Sequence, residues 1–387
     1  MSDLNDVLEA HVGKGPVPGA VGLVARGDRI EVAAVGSVDV EGSAPMARDS
    51  IFRIASITKP IVAAAVMALV DDGRIGLQDP IAAWLPELAS PSVVRTPGSP
   101  LDDVVPAARP ITVEDLLSSR AGYGFPADFG LPAVARLFSE LIQASAQPQL
   151  VPAPDEWLAK LAAIPLLHQP GEAWLYNTCS DLQGVLVTRV TGRPLPEFLA
   201  ERLFEPLGMA DTGFEVPAAE LDRFTSSYRP DESGAPELVD VPDGQWSSPP
   251  AFPSGAGGLV STVDDWYAFA RMLLAEGTVA GRQLLSAQSV RRMTTDHLTR
   301  SQREASALFL EGQGWGYGGS VDVQPVGVGP VDPWVVPGRY GWVGGTGTTA
   351  HITPASGAVA LLFTQLAMVS PTPPEIMRDF WRYATGV

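Results

Sequence analysis

The sequence predicts an α/β (α+β) protein: an antiparallel sheet assembled from both ends of the chain and flanked by helices, with an all-helical lobe between. Two observations carry this. Short apolar or alternating segments bounded by Gly and Pro occur near the N-terminus and again after residue 313, while the middle repeats apolar residues at helical spacing. Strands at opposite ends of a chain leave edges that must be satisfied, and pairing them into one sheet does so.

Taken in order, residues 4–12 suit a short opening helix, and 20–25 and 29–35 read as two strands joined by Arg26-Gly27-Asp28. From Ser56 an alanine-rich apolar helix runs to Asp72 and stops at Gly73, a residue type that takes the left-handed conformation ending many helices. The segments 90–110 and 147–154 are loops by their proline content. Leu195, Phe198, Leu199 and Leu203 repeat at helical spacing within the lobe. A helix capped by Ser261-Thr262 follows, with Trp266, Phe269, Ala270 and Leu273 as its apolar face and Asp264-Asp265 as its charged first turn. Strands are expected at 314–323, 339–343, 348–352 and 359–364, then a last helix over 374–383. The division this implies is residues 1–75 and 255–387 as the sheet domain and 76–254 as the mainly helical domain.

At 387 residues and 45% apolar content the chain buries a large core. A net charge of −18 with 26 Lys plus Arg argues against nucleic acid and anionic membrane surfaces as partners. The lone Cys179 makes no internal disulfide, its expected role being a small buried side chain. The first residues carry Asp3, Asp6 and Glu9 and no apolar stretch of the signal-peptide kind, and the run 60–70 is too short for a membrane span. The expectation is a soluble, cytoplasmic protein. His11, His168, His297 and His351 are scattered without metal-ligand spacing, so no metal is expected. No Gly-x-Ser-x-Gly elbow is present.

The central chemical feature is Ser56-Ile57-Thr58-Lys59. Residues three apart on a helix share a face, so the lysine amine reaches the serine hydroxyl. Serine needs a base to act as nucleophile, and a lysine desolvated by Ile54, Ile57 and Ile61 has its pKa lowered toward that task. An unpaired ammonium beside so apolar a helix would be costly, which separates this pair from a surface lysine and a capping serine.

Here the chain resembles the serine β-lactamase-like and penicillin-binding-protein-like family, in particular the family VIII carboxylesterases related to class C β-lactamases. The likeness runs through Phe52-Arg53-Ile54-Ala55-Ser56-Ile57-Thr58-Lys59-Pro60, Asp72-Gly73-Arg74-Ile75-Gly76-Leu77-Gln78-Asp79-Pro80 and Asp115-Leu116-Leu117. It continues through Pro170-Gly171 to Tyr176, Glu205-Pro206-Leu207-Gly208-Met209 and Gly257-Gly258-Leu259-Val260-Ser261-Thr262. The resemblance implies the β-lactamase/transpeptidase-like fold and a Tyr-x-Asn element, which falls on Tyr176-Asn177-Thr178, with Tyr176 as the proton shuttle.

Two departures from the family bear on substrate. Thr178 stands where an asparagine contacts the substrate amide, and Asn177 is not expected to compensate, because adjacent side chains seldom point the same way. The Lys-Thr-Gly strand is replaced by Trp342-Val343-Gly344, followed by Gly345, which removes the cation for a β-lactam carboxylate. The resemblance places the oxyanion on the amides of Ser56 and Gly345, and the substrate is expected against Trp342, Gly344, Thr178 and, from the loop 122–130, Tyr123. Phe125 and Trp246 are further expected linings, from loops 122–130 and 245–255.

The expected function is hydrolysis of small carboxylic esters through an acyl-enzyme on Ser56, with no cofactor. Alternatives are a β-lactamase or D-Ala-D-Ala peptidase, an acyltransferase using the same intermediate, or a non-catalytic penicillin-binding-like module. The oligomeric state is left open.

Overall fold

The two ends of the chain meet in a seven-stranded antiparallel sheet of order Gly314–Trp315, Ser320–Val321, Tyr340–Gly344, Thr348–Thr353, Ala358–Thr364, Gly19–Arg26, Arg29–Gly36. In this computed structural model, residues 3–13, 15–144, 146–324 and 332–386 are described. The last strand lies beside the first in register Leu23↔Leu361, and the first turns back at Gly27, whose φ of +59° suits a residue without Cβ. The expected terminal sheet is therefore present.

Period-two alternation on Gly19–Arg26 separates two apolar layers. Val21 and Leu23 join the central core, while Ala20 and Val24 face Leu4, Leu8, Ile376, Met377 and Phe380 of the terminal helices Leu4–Glu9 and Glu375–Thr385. Gly22 lets those helices lie close, since a Cβ there would sit 3.2 Å from Leu8 Cδ1. On the opposite face Val263–Leu274 packs with Trp266, Phe269 and Ala270, as its spacing requires. Each such fully buried large side chain contributes roughly 1.5–3 kcal/mol.

Under this layer runs Lys59–Asp71, apolar all round and buried from Lys59 to Leu69, the pattern of an interior helix. Pro60 occupies its first turn, where a missing N–H costs little. Its end is a Schellman turn: Gly73, at φ +68°, donates to Val70 O, and Arg74 N donates to Leu69 O.

Three expectations need correction. The segment 314–323 is two short paired strands rather than one, because the chain reverses at Gly318, at φ +78°. The proline-rich 90–110 segment contains a hairpin, Ser92–Val94 with Val104–Pro106, whose valines find partners despite the prolines around them. The middle of the chain is consequently not all-helical, and a second hairpin there pairs Ser227–Pro230 with Pro236–Asp240. No helix among the described residues is long and apolar enough to cross a membrane.

Candidate active site

Ser56 does not begin an α-helix. It lies in a 3-10 turn, Ala55–Thr58, that leads into Lys59–Asp71, and Ala55 holds a positive φ of 43°. In a 3-10 turn side chains at i and i+3 eclipse, which brings Lys59 Nζ to 2.8 Å from Ser56 Oγ. Neighbours fix the turn on every side. Ile54 N donates to Leu259 O at 3.0 Å, Trp266 Nε1 to Ile57 O at 3.2 Å and Thr348 Oγ1 to Ile54 O at 2.9 Å. Gly344 lets the strand Tyr340–Gly344 approach at backbone distance, since a Cβ there would fall 2.5 Å from Ile54 O.

Tyr176 reaches the pair from the middle of the chain. Its hydroxyl donates to Ser56 Oγ at 2.7 Å, accepts from Trp342 Nε1 at 2.9 Å and lies 3.4 Å from Lys59 Nζ. Reciprocal backbone bonds with Phe125, 2.9 and 3.0 Å, hold the tyrosine from behind. Phe309 stacks on its ring at 4.8 Å.

Asn177 contradicts the expectation that it would point away. Its backbone, φ 80° and ψ −67°, with Thr178 N donating to Tyr176 O at 3.2 Å, forms a γ-turn of the strained, positive-φ kind. From this turn Asn177 Oδ1 accepts from Lys59 Nζ at 3.0 Å, on the same side as the Tyr176 hydroxyl. Lys59 also donates to Ala256 O at 2.7 Å. Burial pushes its amine below the ordinary lysine value, opposed by the Tyr176 phenol and the Asp181 carboxylate.

These groups open onto a cavity of about 480 Å³, within the range of small-molecule sites. Its walls are largely apolar, including Trp157, Phe252, Phe309 and Trp342, and Gly345 lies on the wall near Ser56. Trp246 also lines it, as expected.

Of the expected substrate contacts, Tyr123 and Thr178 are corrected. Tyr123 is fully buried behind the Tyr176 segment, outside the cavity, with its hydroxyl unpartnered among the described residues. Thr178 is likewise buried, and its hydroxyl donates to Gln143 Oε1 at 2.7 Å instead of facing the cavity. Gly344 sits beneath the wall as a packing position. Phe125 lines a separate, smaller cavity with His168 and Trp174. Cys179 is buried against Tyr123 O, and burial pushes its thiol up to about 12, so it is no ready nucleophile. Within Asp264-Asp265 only Asp264 is an exposed first-turn charge, paired to Arg48. Asp265 is buried, accepting from Thr212 Oγ1 and Asp211 N. Sequence reasoning missed Asp181, in the first turn of the helix Thr178–Thr191, and the carbonyl of Ala256 that accepts from Lys59.

The fold and this serine-lysine-tyrosine cluster define a class of protein. The chain belongs to the Beta-lactamase family, whose model matches residues 4–374. An uncharacterized protein of Mycobacterium tuberculosis is 39% identical over 355 residues, 91% of this chain and 86% of that one. Esterase EstB of Burkholderia gladioli is 29% identical over 392 residues, 96% and 92% of the two chains. Among solved structures, "EstCE1, a hydrolase with promiscuous acyltransferase activity" superposes with a TM-score of 0.77 at 23% identity, over 98% of this chain and 97% of that one.

Proposed function

We propose that this protein is a serine hydrolase that cleaves small carboxylic esters through an acyl-enzyme on Ser56. The observation that carries the reading is the placement of Ser56 Oγ within hydrogen-bond reach of both Lys59 Nζ, at 2.8 Å, and Tyr176 OH, at 2.7 Å. Lys59, driven toward its neutral form by burial, and Tyr176 take the serine proton as Oγ attacks the ester carbonyl. The oxyanion rests on the amides of Ser56 and Gly345, where one donor contributes about 2.7–4 kcal/mol. Tyr176 returns the proton to the departing alkoxide, and water attacks the acyl group by the reverse path. The likeness to Esterase EstB over nearly the whole chain supports ester chemistry.

The walls favour neutral substrates over β-lactams. Among the described residues the cation lining the cavity is Arg53, paired to Asp240 at 2.5 Å, and Lys59, behind Ser56, is committed to Ser56 and Asn177. Trp342 occupies the position where a free cation would meet a carboxylate, and Thr178 is turned away. Acyl transfer differs only in the acceptor that enters after the first alcohol leaves, and the apolar walls would hold such an acceptor as readily.

The test is turnover of short p-nitrophenyl esters beside nitrocefin, with wild type and Ser56→Ala. Ester turnover that falls about a thousandfold or more on substitution, with nitrocefin untouched, is the expected result. Faster nitrocefin turnover than ester turnover would move the reading to a β-lactamase.

A further inference from the structure

Lys59 has neutral oxygen atoms as its direct partners: Ser56 Oγ, Tyr176 OH, Asn177 Oδ1 and Ala256 O. A single carboxylate stands behind them. Asp181 lies on Thr178–Thr191, buried on the cavity wall with no direct ion pair among the described residues. Its Oδ1 accepts from Ser254 Oγ at 2.6 Å and from Ala256 N at 3.1 Å, so one carboxylate oxygen grips both ends of the Ser254-Gly255-Ala256 turn. The carbonyl of that same Ala256 accepts from Lys59. Gly255 allows the turn to lie flat on the Asp181 helix, because a Cβ would fall 2.3 Å from Ser180 O. The other oxygen, Oδ2, faces Gln143 Nε2 at 3.5 Å, and Gln143 in turn accepts from Thr178.

A buried carboxylate without a cation is costly unless its charge is used or answered. The charged or titratable groups acting on Lys59 are Tyr176 and Asp181, and the one acting on Asp181 is Lys59: burial pushes the Asp181 carboxyl up, and the Ser254 hydroxyl, the Ala256 amide and the Lys59 cation pull it back toward its charged form. The other buried pair at the cavity, Arg53 and Asp240, answers itself. We propose that Asp181 is a positioning residue for Lys59: it fixes the turn whose Ala256 carbonyl orients the amine, and its negative charge keeps a fully buried lysine basic enough to accept the Ser56 proton. Burial alone drives lysines to values of about 5–6, a weak base, whereas a base works best near the operating pH. The two parts of Asp181's role are separable, since asparagine preserves the acceptor and removes the charge.

This inference rests on the assignment of Ser56 as nucleophile, and the experiment keeps the two apart by reading Ser56 itself. The rate of covalent labelling by a fluorophosphonate probe is measured against pH for wild type, Asp181→Asn and Ser254→Ala, with each adduct mapped by peptide mass. Asp181→Asn is expected to move the acid limb to lower pH by roughly one unit, because loss of a nearby negative charge weakens Lys59 as a base. Its plateau rate should fall several-fold. Ser254→Ala, which leaves the carboxylate with one donor fewer and harder to ionise, should shift the limb the same way by less. A plateau that drops with the limb unmoved in both variants would show a structural role only and overturn the proposal. Should Asp181→Asn fail to fold, an unmoved limb in Ser254→Ala overturns it alone. Absence of a Ser56 adduct in wild type would overturn the nucleophile assignment first.

Discussion

Arg53 and Lys59 are buried cations on one stretch of chain, held in opposite ways. Around Arg53 the protein supplies a full answer: Asp240 at 2.5 Å, the carbonyls of Thr225 and Val241, and the faces of Phe224 and Trp246. Around Lys59 it supplies oxygens that share the proton, with the carboxylate one residue removed. The first arrangement stabilises a charge in place. The second leaves a charge able to leave, which is the condition for a base. The two regions therefore separate what holds the fold from what performs the chemistry.

That separation is broken or sharpened by substitution on each side. Replacing Lys59 by Met should lower kcat/KM by at least about a thousandfold, some 4 kcal/mol, with a smaller loss of denaturant stability than Arg53→Ala causes, because Asp181 keeps its Ser254 and Ala256 donors. Two effects oppose one another: a lysine whose pKa is depressed on folding opposes folding wherever it must stay charged, and methionine removes that opposition, but it also leaves Asp181 without the cation that acts on it. A Lys59→Met protein that loses as much stability as Arg53→Ala would contradict the contrast. On the other side, Arg53→Ala leaves Asp240 buried and unpaired, and chemical denaturation should register a loss of about 3–5 kcal/mol. Tyr176→Phe removes the hydroxyl that bridges Ser56 and Trp342, so ester turnover should drop about a hundredfold with the melting temperature nearly unchanged. The smallest change is Trp342→Phe. Losing one donor to the Tyr176 hydroxyl should cost about 1 kcal/mol of transition-state stabilisation, roughly fivefold to tenfold in kcat at modest change in KM.

Much of this was legible in the chain, for reasons that differ residue by residue. The sheet from both termini and the helix after Ser56 follow from apolar periodicity, which packing enforces. Ser56 and Lys59 declared themselves by spacing, and the 3-10 turn that carries them preserves the same face. Tyr176 is invisible to such reasoning, because a tyrosine distant in sequence carries no local pattern, and only family likeness marked it. Asn177 was misjudged for a geometric reason: the rule that neighbours diverge holds for regular backbone and fails in a γ-turn. Thr178 and Tyr123 sit beside the site yet face into the protein, a matter of side-chain direction that position in a motif does not convey. Asp181 looked like one acidic residue on a helix. Its partners come from a turn more than seventy residues later, so burial and contact had to be seen.

The most direct test of the account is to trap the acyl group. Wild type mixed with p-nitrophenyl acetate, quenched in acid and digested, should carry an acetyl group on the peptide containing Ser56, and Ser56→Ala should carry none and show no burst of p-nitrophenol. An acetyl group on another residue, or undiminished hydrolysis by Ser56→Ala, would contradict it.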